Sequence, residues 1–282
     1  MKRMTIFASI IVIFGLIFIT PGCGSSHKSS RTGAPSGGGG TGTGGTGTGG
    51  TGTGGGGGNG GGGSTDLPFG GSSQGTGGAS GGSVTTPSGV TYNLIVPGSY
   101  SEGTPNEFLI VYSGTEGGAQ MTTNIRNLMT VIPGLGSFIC AVLDGPRYRG
   151  NGQAGADAMD DVRSRFNIDN DRMCLLGESA GTTAAISLGF KLRQEYFAAY
   201  WANDVIASGT PEKTASEIGF QPWGNAGPGG QFALAQAIVD GMRGADYRLP
   251  ADAPYSGPGA EKHGSSTQLM EALKFFTGKT RQ

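Results

Sequence analysis

Glycine is spread so unevenly along this chain that it decides where the chain can fold. Of 58 glycines in 282 residues, 31 fall in residues 1–88 and 27 in the remainder. The stretch GGGGTGTGGTGTGGTGTGGGGGNGGGG at 37–63 offers almost no large apolar side chain to bury. Such a segment cannot offset the entropy of ordering, so residues 23–88 are predicted to form a flexible tether. A Gly-rich coil of that length has an end-to-end distance of roughly 45 Å. Folding is thereby confined to residues 89–282, enough for one sizeable core.

What precedes the tether reads as an address. Lys2 and Arg3 supply a positive start, and the apolar run MTIFASIIVIFGLIFIT at 4–20 is short and close to the end, as in a secretory signal over residues 1–22. It stops at TPGC, which resembles the lipobox of bacterial lipoproteins. That resemblance implies that Cys23 carries a lipid and becomes the mature N-terminus, and Gly24 after it favours the outer membrane. An exported lipoprotein of the bacterial cell envelope, held to its membrane by the N-terminal lipid, is the expectation. The net charge of -1 and the absence of a basic block in the C-terminal part argue against a nucleic-acid partner.

From residue 89 strand-like and helix-like patterns alternate. Strands are predicted at VTYNLIVPG (90–98), EFLIVYSG (107–114), SFICAVLDG (137–145), RMCLLG (172–177), YFAAYWAND (196–204) and DYRLP (246–250). Helices are predicted at TTNIRNLMTVI (122–132), GADAMDDVRSRF (155–166), AGTTAAISLGFKLRQ (180–194), GQFALAQAIVDGM (230–242) and SSTQLMEALKFFTG (265–278). This alternation implies an α/β fold, a mainly parallel central sheet with helices on both faces, whose site lies beyond the strand carboxyl ends. Cys140 and Cys174 fall in two of the strands. With the strand ending at Gly114 between them they would stand roughly 9.5 Å apart, too far for a disulfide, so two buried free thiols are expected.

The segment MCLLGESAGTTAAI at 173–186 carries the chemistry. G-x-S-x-G alone is weak evidence in so glycine-rich a chain. Here it follows a buried strand and opens a helix-compatible run, the strand, sharp turn, helix arrangement of a nucleophile elbow, which makes Ser179 the candidate nucleophile. A serine hydroxyl needs a base, and the chain holds two histidines. His27 lies in the tether and could not be held in register, which leaves His263, just ahead of the last helix in GAEKHGSSTQ (259–268).

Residues 89–282 resemble an α/β-hydrolase, specifically the secreted esterases related to polyhydroxybutyrate depolymerases and feruloyl esterases. The matching pieces are YNLIVPGSY, LIVYSGTEGG, GESAG and EKHG before a closing helix. The resemblance implies backbone oxyanion donors, here Thr115 and Ala180, although Ser113-Gly114 stands where that family has His-Gly. Its acid follows a strand in a turn like Gly-x-x-Asp-Pro, and here GNAGP puts Gly227 in the acid's slot. Pro222 also makes EIGFQPW (217–223) a poor strand. Asp204, closing YFAAYWAND, is the first candidate acid, because some α/β-hydrolases carry theirs after that strand. Asp252 and Asn225 are its rivals.

Two functions compete on these grounds, and the motif leaves open a third, peptidase or acyltransferase chemistry with the same residues. One is a membrane-tethered serine esterase acting through an acyl-enzyme on a carboxylic ester, in a polyester or linked to carbohydrate. The other is a binding or display protein on a hydrolase scaffold that has lost its acid. No cluster of His or Cys offers metal ligands, so no metal or other cofactor is expected. A monomer is expected. The segment VIASGTPEKTASEIGF (205–220) is too short for a lid, which implies an open site, and Tyr112, Tyr148, Trp201, Trp223 and Tyr255 are candidates to line it.

Overall fold

The computed structural model describes residues 70–78 and 80–281; the signal segment at 1–22, Cys23 and the glycine tract at 37–63 lie outside the described residues. Among the described residues seven strands form one sheet: β1 (Gly82–Thr85), β2 (Thr91–Ile95), β3 (Asn106–Tyr112), β4 (Ile139–Leu143), β5 (Ile168–Glu178), β6 (Ala199–Asn203) and β7 (Trp223–Ala226). Their order is β1-β2-β4-β3-β5-β6-β7. The β1–β2 and β2–β4 pairs are antiparallel, and every pair from β4 through β7 is parallel. Helices α1 (Gly117–Met129), α2 (Gly152–Arg165), α3 (Thr182–Ser187), α4 (Ala215–Ile218), α5 (Phe232–Gly244) and α6 (Ser266–Phe276) connect and follow them.

The central strands carry unbroken apolar runs, 108–112 in β3, 139–143 in β4 and 173–176 in β5, because both of their faces are covered there. Along β3, Phe108, Ile110 and Tyr112 enter one core layer with α2, α3 and α5, while Leu109 and Val111 enter the other with α1 and α6. All five are wholly buried. At roughly 1.5–3 kcal/mol for each large side chain, they contribute on the order of 10 kcal/mol before conformational entropy is counted. Leu109 pairs with Cys140 on one side and Cys174 on the other, so the cysteines are two strands apart, free and buried. Burial alone pushes the Cys140 thiol up to about 12, which leaves it un-ionised and unreactive at neutral pH.

Four expectations change. The folded region begins before residue 89: β1 pairs with β2 in the register Gly82↔Leu94, and Ser73 donates its N–H to the Ile168 carbonyl at 2.9 Å. Residues 70–78 and 80–88 are thus part of the sheet's edge and flank, and the predicted tether is too long at its C-terminal end. DYRLP is no strand; Arg248 makes a single parallel bridge to Trp223. The last strand is β7, in the stretch judged poor. Pro222 lies just ahead of it, and only its carbonyl is used, accepting the Arg248 N–H at 2.8 Å, so the missing donor costs nothing. The long helix predicted at 180–194 is instead α3 followed by a π-turn at Leu188–Leu192. A side chain on Gly189 there would come within 2.5 Å of Leu175 on β5.

Candidate active site

Ser179 sits where β5 turns into α3. Glu178 is still extended (φ -101°, ψ 122°), Ser179 jumps to φ 45°, and a 3-10 turn over Ser179–Gly181 leads into the helix. A left-handed serine costs about 1–3 kcal/mol and persists only where the surroundings enforce it. The two glycines of the motif do so by allowing contact. A Cβ on Gly177 would fall 2.5 Å from that of Ala185, and one on Gly181 would fall 2.5 Å from the Tyr112 carbonyl oxygen. The helix after the turn therefore lies directly on β3 and β5. Gly181 has φ -80°, open to any residue, so its requirement is steric. Gly181→Ala should destabilise the fold by about 1–3 kcal/mol, read as a lower denaturant midpoint; an unchanged midpoint would show that the turn has room to spare.

His263 lies in the loop between β7's successor helix α5 and α6, 84 residues from Ser179 in sequence, and its Nε2 is 2.9 Å from Ser179 Oγ. The serine is 7% exposed, whereas the imidazole belongs to an exposed stretch. Asp204 follows β6 directly, in the left-handed region at φ 48°, which a short acidic side chain tolerates. Its Oδ2 accepts the N–H of Gly264, the residue after His263, and its Oδ1 accepts Gln268 Nε2 at 2.7 Å. Asp204 thus fixes the loop that bears the imidazole and acts on the ring through charge. Burial raises its carboxyl above the usual range, opposed by the Gly264 N–H, the charge of His263 and hydrogen bonds from Glu178 and Gln268.

The slot at Gly227 is filled from elsewhere. A Cβ there would come within 2.5 Å of Asn203 Oδ1 and 2.8 Å of Gln268 Cδ, so these two buried side chains occupy the space an acid would need. Gln268, on α6, is wholly buried and also accepts the Gly229 N–H at 3.2 Å. Neither of the other candidates for the acid makes a hydrogen bond to Ser179 or His263. Asp252 is in an exposed turn, and Asn225 is buried inside β7 with its Oδ1 on the Ala226 N–H at 2.8 Å.

Three polar residues around the pair were not singled out from the sequence as site residues: Glu178, Asn203 and Gln268. Glu178 is the variable residue of GESAG, and its carboxyl points into the sheet's end, where Asn203 Nδ2 donates to Oε2 at 2.7 Å. Only Glu178 carried a signal, an ionisable residue between a buried strand and the nucleophile.

The loop after β3 is pinned on both sides. Ser113, at the position where the resemblance noted from the sequence would have histidine, accepts the Gly145 N–H at 3.0 Å and donates to the Gly114 carbonyl at 3.2 Å. Glu116 folds back to accept the Gly114 N–H at 2.9 Å. A side chain on Gly114 would approach Ser179 Cβ to 3.2 Å, so this loop lies against Ser179, with Thr115 next along it. Ala180 follows Ser179 in the turn and is 1% exposed.

The suggested aromatic lining belongs mostly to the core. Tyr112, Tyr148, Trp201 and Tyr255 are buried, and Trp201 packs against Tyr255 at 5.9 Å between ring centroids. Trp223 opens β7, at the far end from the site, beneath Arg248 and Lys279. Among the described residues no group of three or more His, Cys, Asp or Glu could hold a metal ion.

No family model matches the chain, and no curated protein does. Among solved structures it is similar to a thermostable esterase at 15% identity and a TM-score of 0.52, over 71% of this chain and 63% of that one. It is also similar to a poly(3-hydroxybutyrate) depolymerase from Bordetella parapertussis (13% identity, TM-score 0.49, covering 68% and 85%). A third is a feruloyl esterase module from Clostridium thermocellum (11% identity, TM-score 0.45, covering 71% and 87%). Sheet order, crossover helices on both faces and the likeness to the thermostable esterase define the α/β-hydrolase fold. At these identities the likeness concerns the fold.

Proposed function

We propose that the protein is a serine hydrolase of carboxylic esters, tethered to a membrane through its N-terminal segment. The observation that carries this reading is the 2.9 Å approach of His263 Nε2 to the hydroxyl of a serine held at φ 45° on a strand-to-helix turn. The imidazole takes the Ser179 proton on Nε2 as Oγ attacks the ester carbonyl, so the resting ring carries its proton on Nδ1. The Thr115 and Ala180 N–H groups receive the oxyanion, and the positive end of the turn into α3 adds to them. Collapse of the tetrahedral intermediate breaks the ester bond, and the imidazolium protonates the departing alcohol. Water then repeats the sequence on the acyl-serine, with His263 as base. Asp204 stabilises the imidazolium through charge and holds its loop.

The case for a binding protein rested on the glycine at 227, and Asp204 beside the His263 loop supplies what that slot lacks. An exposed imidazole, and only the four-residue α4 between β6 and β7, favour substrates too large for a closed pocket, such as a polyester or an acylated polysaccharide. The test is a fluorophosphonate probe together with short p-nitrophenyl esters. Labelling of Ser179 with turnover is the expected result, and an unlabelled, inert protein would end the proposal.

A further inference from the structure

We propose that Gln268 is a positioning residue: its side-chain amide fixes the rotation of the Asp204 carboxylate, so that one oxygen of the acid stays on the loop that bears His263. This deepens the hydrolase reading above and rests on it. The amide can point only one way. The Gly229 N–H is a donor, and it meets Gln268 Oε1 at 3.2 Å, so the group 2.7 Å from Asp204 Oδ1 is the donor Nε2. The other carboxylate oxygen, Oδ2, accepts the Gly264 N–H. Each oxygen of the acid therefore has its own donor, one from the residue after His263 and one from the first turn of α6.

Two donors matter because the last torsion of an aspartate is soft and roughly two-fold. A carboxylate held at Oδ2 alone could swing about that bond. Held at both oxygens, it cannot turn without breaking a charge-assisted hydrogen bond on each side. Gln268 is wholly buried, so water does not stand ready to replace its amide. The space is shaped for the pair as well: a Cβ on Gly229 would collide with Asp204 Oδ1, and one on Gly227 would fall 2.8 Å from Gln268 Cδ. An acid at 227 and an amide at 268 thus exclude each other. The slot after β7 holds the support, and the acid follows β6.

The start of α6 shows that the amide is diverted from a local use. Ser265 caps the helix, its Oγ accepting the Gln268 N–H at 3.3 Å, and S-x-x-Q is the pattern of a capping box, in which the glutamine side chain returns to the N–H of the cap. The box on α4 closes in that way, with Glu217 Oε2 on the Thr214 N–H at 2.6 Å. In α6 the corresponding side chain leaves its helix for Asp204 and Gly229. A residue that only filled space there would need neither bond.

Gln268→Met tests this, since methionine is also unbranched and donates nothing. The kcat for ester hydrolysis should fall about 10- to 100-fold, as for loss of one hydrogen bond to a charged group, while KM changes by less than about twofold because the amide is buried away from substrate. In an Asp204→Ala background the same replacement should slow hydrolysis by no more than about twofold, because Gln268 acts only through that carboxylate. A space-filling role would cost the same in both backgrounds. The urea midpoint gives the same cycle without turnover: Gln268→Met should lower it in wild type and leave it level or higher in Asp204→Ala, where the amide has already lost its acceptor. Should the single variant not fold, recovery of folding in the double would show the same coupling. A protein that hydrolyses no ester in any form ends the hydrolase reading and leaves the stability cycle to decide whether Gln268 holds Asp204. Equal losses in the two backgrounds, wild-type rates in folded Gln268→Met, or a double variant that fails to fold where Asp204→Ala folds would each overturn the proposal.

Discussion

Alanine at Ser179, or at His263, is expected to lower ester hydrolysis by about a millionfold, and the double variant should be no slower than either single one. The reasoning is that the two side chains form one device. A serine hydroxyl without a base is a weak nucleophile, and an imidazole without the hydroxyl has nothing to activate. Their separation is 2.9 Å, with the serine fixed by a strained turn and the histidine by a loop whose next N–H is bound to Asp204. Folding should be little affected in either variant, because Ser179→Ala removes one oxygen and His263 lies in an exposed stretch. Circular dichroism and denaturation midpoints would check that. The probe should label wild type, fail on Ser179→Ala, and label His263→Ala slowly. Rates that fall by less than about a hundredfold in both would show that this pair is not the reacting centre.

How much of this could be read from the sequence depends on the range of the forces involved. The central strands were legible because burial on both faces leaves an unbroken apolar run, as in EFLIVYSG, and α5 and α6 because their apolar spacing follows one helical face. Ser179 was legible for a local reason, since the elbow is built by residues adjacent in sequence. His263 was found by elimination. The candidate acid was not decidable, because which of Asp204, Asp252 and Asn225 comes to lie beside the His263 loop is a property of the assembled sheet. β1 escaped notice because GSVT has a single large apolar residue; an edge strand is held largely by ladder bonds to β2. β7 was obscured by Pro222, whose cost depends on whether its missing N–H faces a partner. Gln268 reads as one polar residue on a helix, and only the contact with Asp204 shows what it does.

Asp204→Ala is the prediction that separates the candidate acids, and kcat/KM should fall by about 10^3- to 10^4-fold. The substitution leaves the Gly264 N–H and Gln268 Nε2 facing no acceptor, and it removes the charge proposed to stabilise the imidazolium. Labelling by the probe should persist at a reduced rate, since hydroxyl and base remain. Asp252→Ala, in its exposed turn, should hydrolyse esters like wild type. The pH behaviour of the wild type supplies a second check. The proposed mechanism requires the charged Asp204, and burial raises its carboxyl, so protonation should remove the partner of His263 at a higher pH than an ordinary aspartate would. The same raised value means that folding favours that proton: the stabilisation it brings is present at low pH and lost as pH rises through the folded value. On acidification the rate should therefore fall reversibly before the protein unfolds. If the acid loss of activity coincides with loss of structure, or if Asp252→Ala loses activity while Asp204→Ala keeps it, the acid has been misplaced and the imidazole is oriented by another group.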